Sequence, residues 1–175
     1  MTSLQKSRTH LNLDEVTMIT VPAATAVIAM LHAGDVVMTE GGDIDKLGCG
    51  TVWRNQIEGC LHQNHIFAVR PNPRLLDADF RALLSRSGHA RAYFESTGVQ
   101  STNLASTNSA KILSLPVPAL ALETQRNIIS RWRQAANRTL ALDESMRAQI
   151  GLLKERRQAL ITAAVTGRVE VPVAV

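Results

Sequence analysis

The sequence predicts an α+β protein: a mixed, β-rich head over residues 1–118, a long C-terminal coiled-coil-type α-helix over 119–168 and a short tail over 169–175. Three observations predict it. Val36-Val37-Met38, Thr51-Val52-Trp53 and Ile66-Phe67-Ala68-Val69 are short apolar runs, rich in β-branched and aromatic residues and set among glycine, aspartate and proline, as strands are. Composition changes at Pro118: no proline follows until Pro172, and Gly151 is the only glycine between there and Gly167. From Leu120 to Val165 helix formers dominate, with apolar residues recurring at heptad spacing.

The elements follow in chain order. Pro22 to Leu31 is apolar and reads as a buried strand or a helix turn. Gly34-Asp35 is a turn into the first strong strand, and Glu40 to Gly48 is a loop with too many glycines for a helix. Asp77 to Phe94 reads as a helix pair or one broken helix. Leu75, Leu76, Phe80, Leu83 and Leu84 have helical spacing, Asp77 or Asp79 serves near the start, and Gly88 breaks the pattern. Tyr93 and Phe94 are expected to anchor the core. Thr97 to Ser109, rich in Ser, Thr and Asn, reads as a polar loop. Leu115-Pro116-Val117-Pro118 leaves the head as extended chain, because a residue preceding proline avoids the α region.

A helix from Leu120 to Val165 spans roughly 70 Å at 1.5 Å per residue, longer than a small head needs. With Ile129 as heptad position a, the a series is Ile129, Ala136, Asp143, Ile150, Arg157, Ala164 and the d series Trp132, Thr139, Met146, Leu153, Leu160. Ile129, Trp132, Met146, Ile150, Leu153 and Leu160 are therefore the candidate helix-pairing residues. Thr139, Asp143 and Arg157 are polar breaks that cost stability and can fix register. The bland reading is a helix lying on its own domain. Gly167 falls where a C-terminal cap belongs.

Composition limits the chemistry. Apolar residues make up 45%, enough for a core, whereas 3% aromatics argue against a single-strand binder built on stacked bases. The net charge of +4 is carried mainly by arginine, the side chain suited to guanine and phosphate, although many basic proteins bind no nucleic acid. Cys49 and Cys60 do not make a disulfide framework, no secretory leader or membrane span is evident, and a cytoplasmic location is expected.

Catalytic and metal patterns are weak. Cys49, Cys60, His62 and His65 lack paired C-x2-C spacing, and Glu40, Asp43 and Asp45 read as a solvated acidic turn. There is no G-x-S-x-G elbow, no G-x-G-x-x-G after a strand and no N-P-P-Y or D-P-P-Y motif. No metal, cofactor or catalytic residue is expected, and a small hydrolase using the acidic loop is the least supported reading. The DNA-reading candidates are Lys46, Arg54, Arg81, Arg86, Arg91, Gln100, Thr102, Asn103, Asn108 and Lys111. Arginine pairs with guanine and asparagine or glutamine with adenine, while lysine and threonine mostly hold phosphate. For each, a solvated surface role is the competing reading.

The wording of the chain carries a further signal. Gly34-Asp35, Thr39-Glu40-Gly41-Gly42-Asp43, Lys46-Leu47-Gly48, Val52-Trp53, Gln63-Asn64-His65 and Arg70-Pro71 follow one another in order. Tyr93-Phe94, Asn103 to Asn108, Leu115 to Pro118, Glu123 to Ile129 with Thr124 between glutamate and glutamine, and Leu152 to Gly167 continue the series. From about Asn12 to Val169 the chain resembles the specificity subunit of type I restriction-modification enzymes, as one target recognition domain plus one helix. The resemblance implies sequence-specific recognition of double-stranded DNA without catalysis. Partner modification (methyltransferase) and restriction subunits would methylate and cleave. In that family two long helices pair antiparallel, so a second specificity half or a homodimer is the implied partner of the helix. The family has more residues ahead of the region matching Leu11 to Val16 and usually two domain–helix units, so an N-terminally incomplete, split or fragmentary subunit is expected. The competing reading is an interaction protein that reads no DNA and whose helix pairs with intact specificity or modification subunits.

Overall fold

The computed structural model describes residues 5–7, 10–11, 13, 16–42, 47–63, 65–100 and 105–168. The chain divides into two units, Met1–Ile129 and Ser130–Val175. The fold is α+β, as the sequence predicts, with small antiparallel sheets in the first unit and a long C-terminal helix.

In the first unit β1 (Gln5–Ser7) pairs antiparallel with β2 (His10–Leu11), and α1 (Ala23–Ala29) comes later in the chain. None of the residues of α1 is buried, which corrects the buried strand among the readings of that stretch. The central sheet comprises β3 (Val36–Thr39), β5 (Gly50–Val52) and β6 (Ile66–Val69), in the order β5-β3-β6, all antiparallel. Val36 stands opposite Val52 on one side and Val69 on the other.

Its middle strand explains why Val36-Val37-Met38 is an unbroken apolar run. Successive strand side chains point to opposite faces. Val36 and Met38 join a cluster with Leu47, Val52, Ala82, Ala90, Phe94, Ala105, Ile112 and Leu115. Val37 joins Leu31, Trp53, Cys60 and Ile66 on the other face. Both faces are covered, so each of the three side chains is withdrawn from water, contributing about 1.5–3 kcal/mol apiece.

Helices α2 (Ala78–Leu84) and α3 (Gly88–Thr97) supply much of the first cluster. Each has a side-chain N-cap: the Asp77 carboxylate accepts from the Asp79 and Phe80 N–H groups, and the Ser87 hydroxyl accepts from the Ala90 N–H. Gly88 is thus the first residue of the second helix rather than a defect in one long one. The expected polar loop from Thr97 to Ser109 contains regular structure instead. β7 (Val99–Gln100) pairs with β8 (Ala105–Ser106), which pairs with β4 (Gly41–Gly42) inside the expected glycine loop. Strands of two residues leave no hydrophobic period to read, although Ala105 of β8 packs into the first cluster. A short α4 (Ser109–Leu113) follows.

α5 (Leu122–Val165) is 44 residues long, about 66 Å at 1.5 Å per residue. Its first turns are tied to the first unit by Gln125, which is 1% exposed. The Gln125 Oε1 accepts from the Asp77 N–H at 2.9 Å, and its Nε2 donates to the carbonyls of Leu75 and Leu120 at 2.9 and 2.8 Å. Gln125→Leu, similar in bulk, strands three backbone groups and is expected to cost about 2 kcal/mol. A urea titration followed by tryptophan fluorescence checks it; a midpoint unchanged from wild type would show the three bonds to be dispensable. At the far end the Arg168 N–H donates to the Ala163 carbonyl and the Gly167 N–H to the Ala164 carbonyl, a Schellman stop.

Candidate nucleic-acid interface

The predicted DNA-reading residues separate by what their side chains already hold. Arg81 lies inside the first unit, 3% exposed. Its Nη2 donates to the Ile112 carbonyl at 3.4 Å and lies 3.8 Å from the Met38 sulfur, Nη1 has no hydrogen-bond partner, and burial pulls its pKa down. An enclosed guanidinium reads no base, so the structure removes Arg81 from the contact set. The cause is the register of α2, which turns Phe80, Arg81, Ala82 and Leu84 inward together.

Arg86 is also engaged, half-buried. Its Nε and Nη2 donate to the Gly50 carbonyl at 3.1 and 2.7 Å, and Nη2 donates to the Thr51 hydroxyl at 3.0 Å. Burial lowers its pKa, opposed by the charges of Cys49 and Asp79. It braces α2 against β5. Asn108 caps α4, its side chain accepting from the Lys111 N–H at 3.0 Å. Lys111 is half-buried, and its carbonyl accepts from the Tyr93 hydroxyl.

Arg54 and Arg91 remain on the surface, 57% and 52% exposed. Arg54 pairs with Asp79, and Arg91 with Glu95 one turn along α3 at 2.7 Å. Exposed pairs of this kind hold weakly, so either arginine can exchange its carboxylate for a phosphate. Gln100 lies in β7, while Lys46, Thr102 and Asn103 fall outside the described residues. His65 contacts Glu40 at 2.8 Å, and Asn64 falls outside the described residues.

The unit boundary exposes a feature that total charge conceals. Residues 1–129 carry 11 Lys+Arg and 11 Asp+Glu, whereas residues 130–175 carry 8 and 4, so the whole excess of +4 lies in the second unit. Within it Arg131, Arg133, Arg138, Arg147, Lys154, Arg156, Arg157 and Arg168 are all exposed. The signal is present in the sequence as the run of arginines after Ser130.

No protein-family model matches the chain, and no curated protein matches it.

Of the candidate helix-pairing residues, Ile129, the last residue of the first unit, is 5% exposed and unavailable to a partner. Trp132, Met146, Ile150, Leu153 and Leu160 are between 42% and 63% exposed, as are Leu140 at 61% and Ile161 at 44% beside them. Among the described residues no group of three or more His, Cys, Asp or Glu side chains is placed to hold a metal ion, and both cysteines are buried free thiols. No helix among them is long and apolar enough to cross a membrane.

Proposed function

We propose that this protein recognises a specific double-stranded DNA sequence as the non-catalytic specificity subunit, or one half of it, of a type I restriction-modification system. What supports this is how the motif series falls on the elements. Gly34-Asp35 enters β3, Val52-Trp53 ends and follows β5, Arg70-Pro71 leaves β6, Leu115 to Pro118 precedes α5, and Leu152 to Gly167 ends it. A mixed head and a long helix occur in the order the resemblance implies.

In this reading base contacts come from the head, through Arg54, Arg91 and the segment around Gln100. Phosphate attraction draws on the arginines of the helix, since the head is charge-balanced. Modification and restriction subunits supply all chemistry, in the cytoplasm, and the chain itself needs no cofactor.

Binding of labelled duplexes between 50 and 200 mM salt tests it, alone and with modification subunits. The expected result is preference for one duplex sequence and affinity falling steeply with salt. Arg54→Ala and Arg91→Ala together are expected to flatten the salt slope by up to about 2 if both hold phosphate, or to relax sequence preference if either reads a base. Absence of duplex binding in both settings would sink the reading. The balanced charge of residues 1–129 and the internal engagement of Arg81 and Arg86 favour the second reading in that event, an interaction protein working through its helix alone.

A further inference from the structure

Three buried side-chain atoms among the described residues make no hydrogen bond: Trp53 Nε1, Thr107 Oγ1 and Arg81 Nη1. The first two belong to neutral groups, which one ordered water satisfies. Arg81 is different in kind. It carries a full positive charge, and a guanidinium keeps its proton even when enclosed. It reaches from α2 to Met38 of β3 and Ile112 of α4, two members of the first cluster.

Those surroundings hold no counter-charge. Nη2 meets only the Ile112 carbonyl at 3.4 Å and the Met38 sulfur at 3.8 Å. The first contact is longer than the usual range of about 2.7–3.2 Å, and a thioether accepts weakly. Arg86, one turn further on, shows what a satisfied guanidinium looks like: it donates to the Gly50 carbonyl at 2.7 Å and to the Thr51 hydroxyl at 3.0 Å. Acids near Arg81 in the chain, or at the ends of β3, are committed elsewhere. Asp77 caps α2, Asp79 pairs with Arg54, Asp35 holds Arg70 and Glu40 contacts His65. Desolvation is the one influence acting on the Arg81 charge, and no carboxylate offsets it.

A buried charge without a partner is among the most destabilising features a core can hold. The partner that fits carries one negative charge, so that the core becomes neutral. A divalent ion such as sulfate would only replace a buried cation with a buried anion. It is also small, because Nη1 is enclosed with the apolar residues of the first cluster. We propose that Arg81 Nη1 binds a small monovalent inorganic anion, of the size and charge of chloride, inside the first unit. The ion completes the polar link between α2, β3 and α4 and so stabilises the folded head. This site is independent of the DNA reading and is tested without DNA.

The test uses the full chain. Thermal melts followed by tryptophan fluorescence are recorded from no chloride to about 200 mM, with gluconate, an anion too large to enter, holding ionic strength constant. Chloride at about ten times its dissociation constant should raise the folded-to-unfolded ratio about tenfold, which lifts the melting temperature by roughly 4 °C. Arg81→Met keeps an unbranched stem without the charge, and it should melt at one temperature in both salts. Crystals grown with bromide as the only halide should show anomalous density beside Arg81 Nη1, a readout that needs no variant. Equal wild-type melting in the two salts would overturn the proposal, as would an equal chloride response in Arg81→Met. Bromide on exposed arginines alone, an adventitious ion only, would overturn it too and leave the Ile112 carbonyl and the Met38 sulfur as the partners of the guanidinium.

Discussion

Gly48→Ala is expected to destabilise the head by about 4 kcal/mol, a large share of the 5–15 kcal/mol that holds a typical domain together. Two costs coincide at this residue. Its φ is +69°, which charges an alanine roughly 1–2 kcal/mol. A Cβ built there would also lie 2.2 Å from Phe94 Cε2 and 2.4 Å from Cδ2. The ring cannot retreat: Phe94 is 0% exposed, packed edge-on to Tyr93 with centroids 5.3 Å apart, in the cluster that holds Met38, Leu47 and Ala90. Overpacking of this kind costs typically a further 1–3 kcal/mol.

Gly34→Ala is the matched control. Gly34 has φ +94° and nothing within 4 Å of where its Cβ would sit, so it carries backbone strain without collision. Thermal melts followed by the fluorescence of buried Trp53 should place Gly48→Ala at least several degrees below Gly34→Ala. Equal melting temperatures would show that the Phe94 ring yields to the methyl group.

Gly48 also marks how far the sequence could be read. The middle strand of the central sheet was legible because a strand buried on both faces writes itself as consecutive apolar residues, as at Val36 to Met38, and its two neighbours as short β-branched and aromatic runs. The break between α2 and α3 was legible because Gly88 interrupts a helical period. β4, β7 and β8 were not, since two-residue strands in glycine- and serine-rich text are specified by the backbone that approaches them.

The candidate interface was harder to read for a related reason. Arginine shows its chemistry in the sequence but not its surroundings. Arg81 and Arg86 differ from Arg54 and Arg91 only through residues remote in sequence: the Ile112 carbonyl 31 positions away and the Gly50 carbonyl 36 positions away. The helix seam was legible because its neighbours along one helix are fixed by the 3.6-residue repeat, with Ile129 the exception at the boundary where the head takes it up.

Removing Arg70 is expected to cost about 3 kcal/mol at neutral pH and much less in acid. Asp35, just ahead of β3, is 0% exposed, and its carboxylate accepts from Arg70 Nε at 2.7 Å, Arg70 Nη2 at 2.8 Å and the His32 N–H at 2.8 Å. Burial by itself pushes its pKa up and is the largest single influence. The Arg70 hydrogen bonds, the His32 N–H and the charges of Arg70 and His32 together overcome it and leave the pKa below the ordinary carboxylate value. A depressed folded pKa contributes stability that is complete above the unfolded value of about 3.9 and is lost as pH falls through the folded pKa. Arg70→Ala leaves burial opposed by little more than one N–H, so the Asp35 pKa rises. Its cost sits at the low end of the range for an orphaned buried charge, because Arg70 is 58% exposed and water can partly take its place. Urea midpoints of wild type and Arg70→Ala should therefore differ most above about pH 5 and converge on acidification, as the orphaned carboxylate becomes neutral. Adding Asp35→Asn to Arg70→Ala should recover part of the loss at pH 7 and remove the convergence. A constant gap across pH would mean that Arg70 acts through packing, and that the buried carboxylate at the head of β3 does not need its cation.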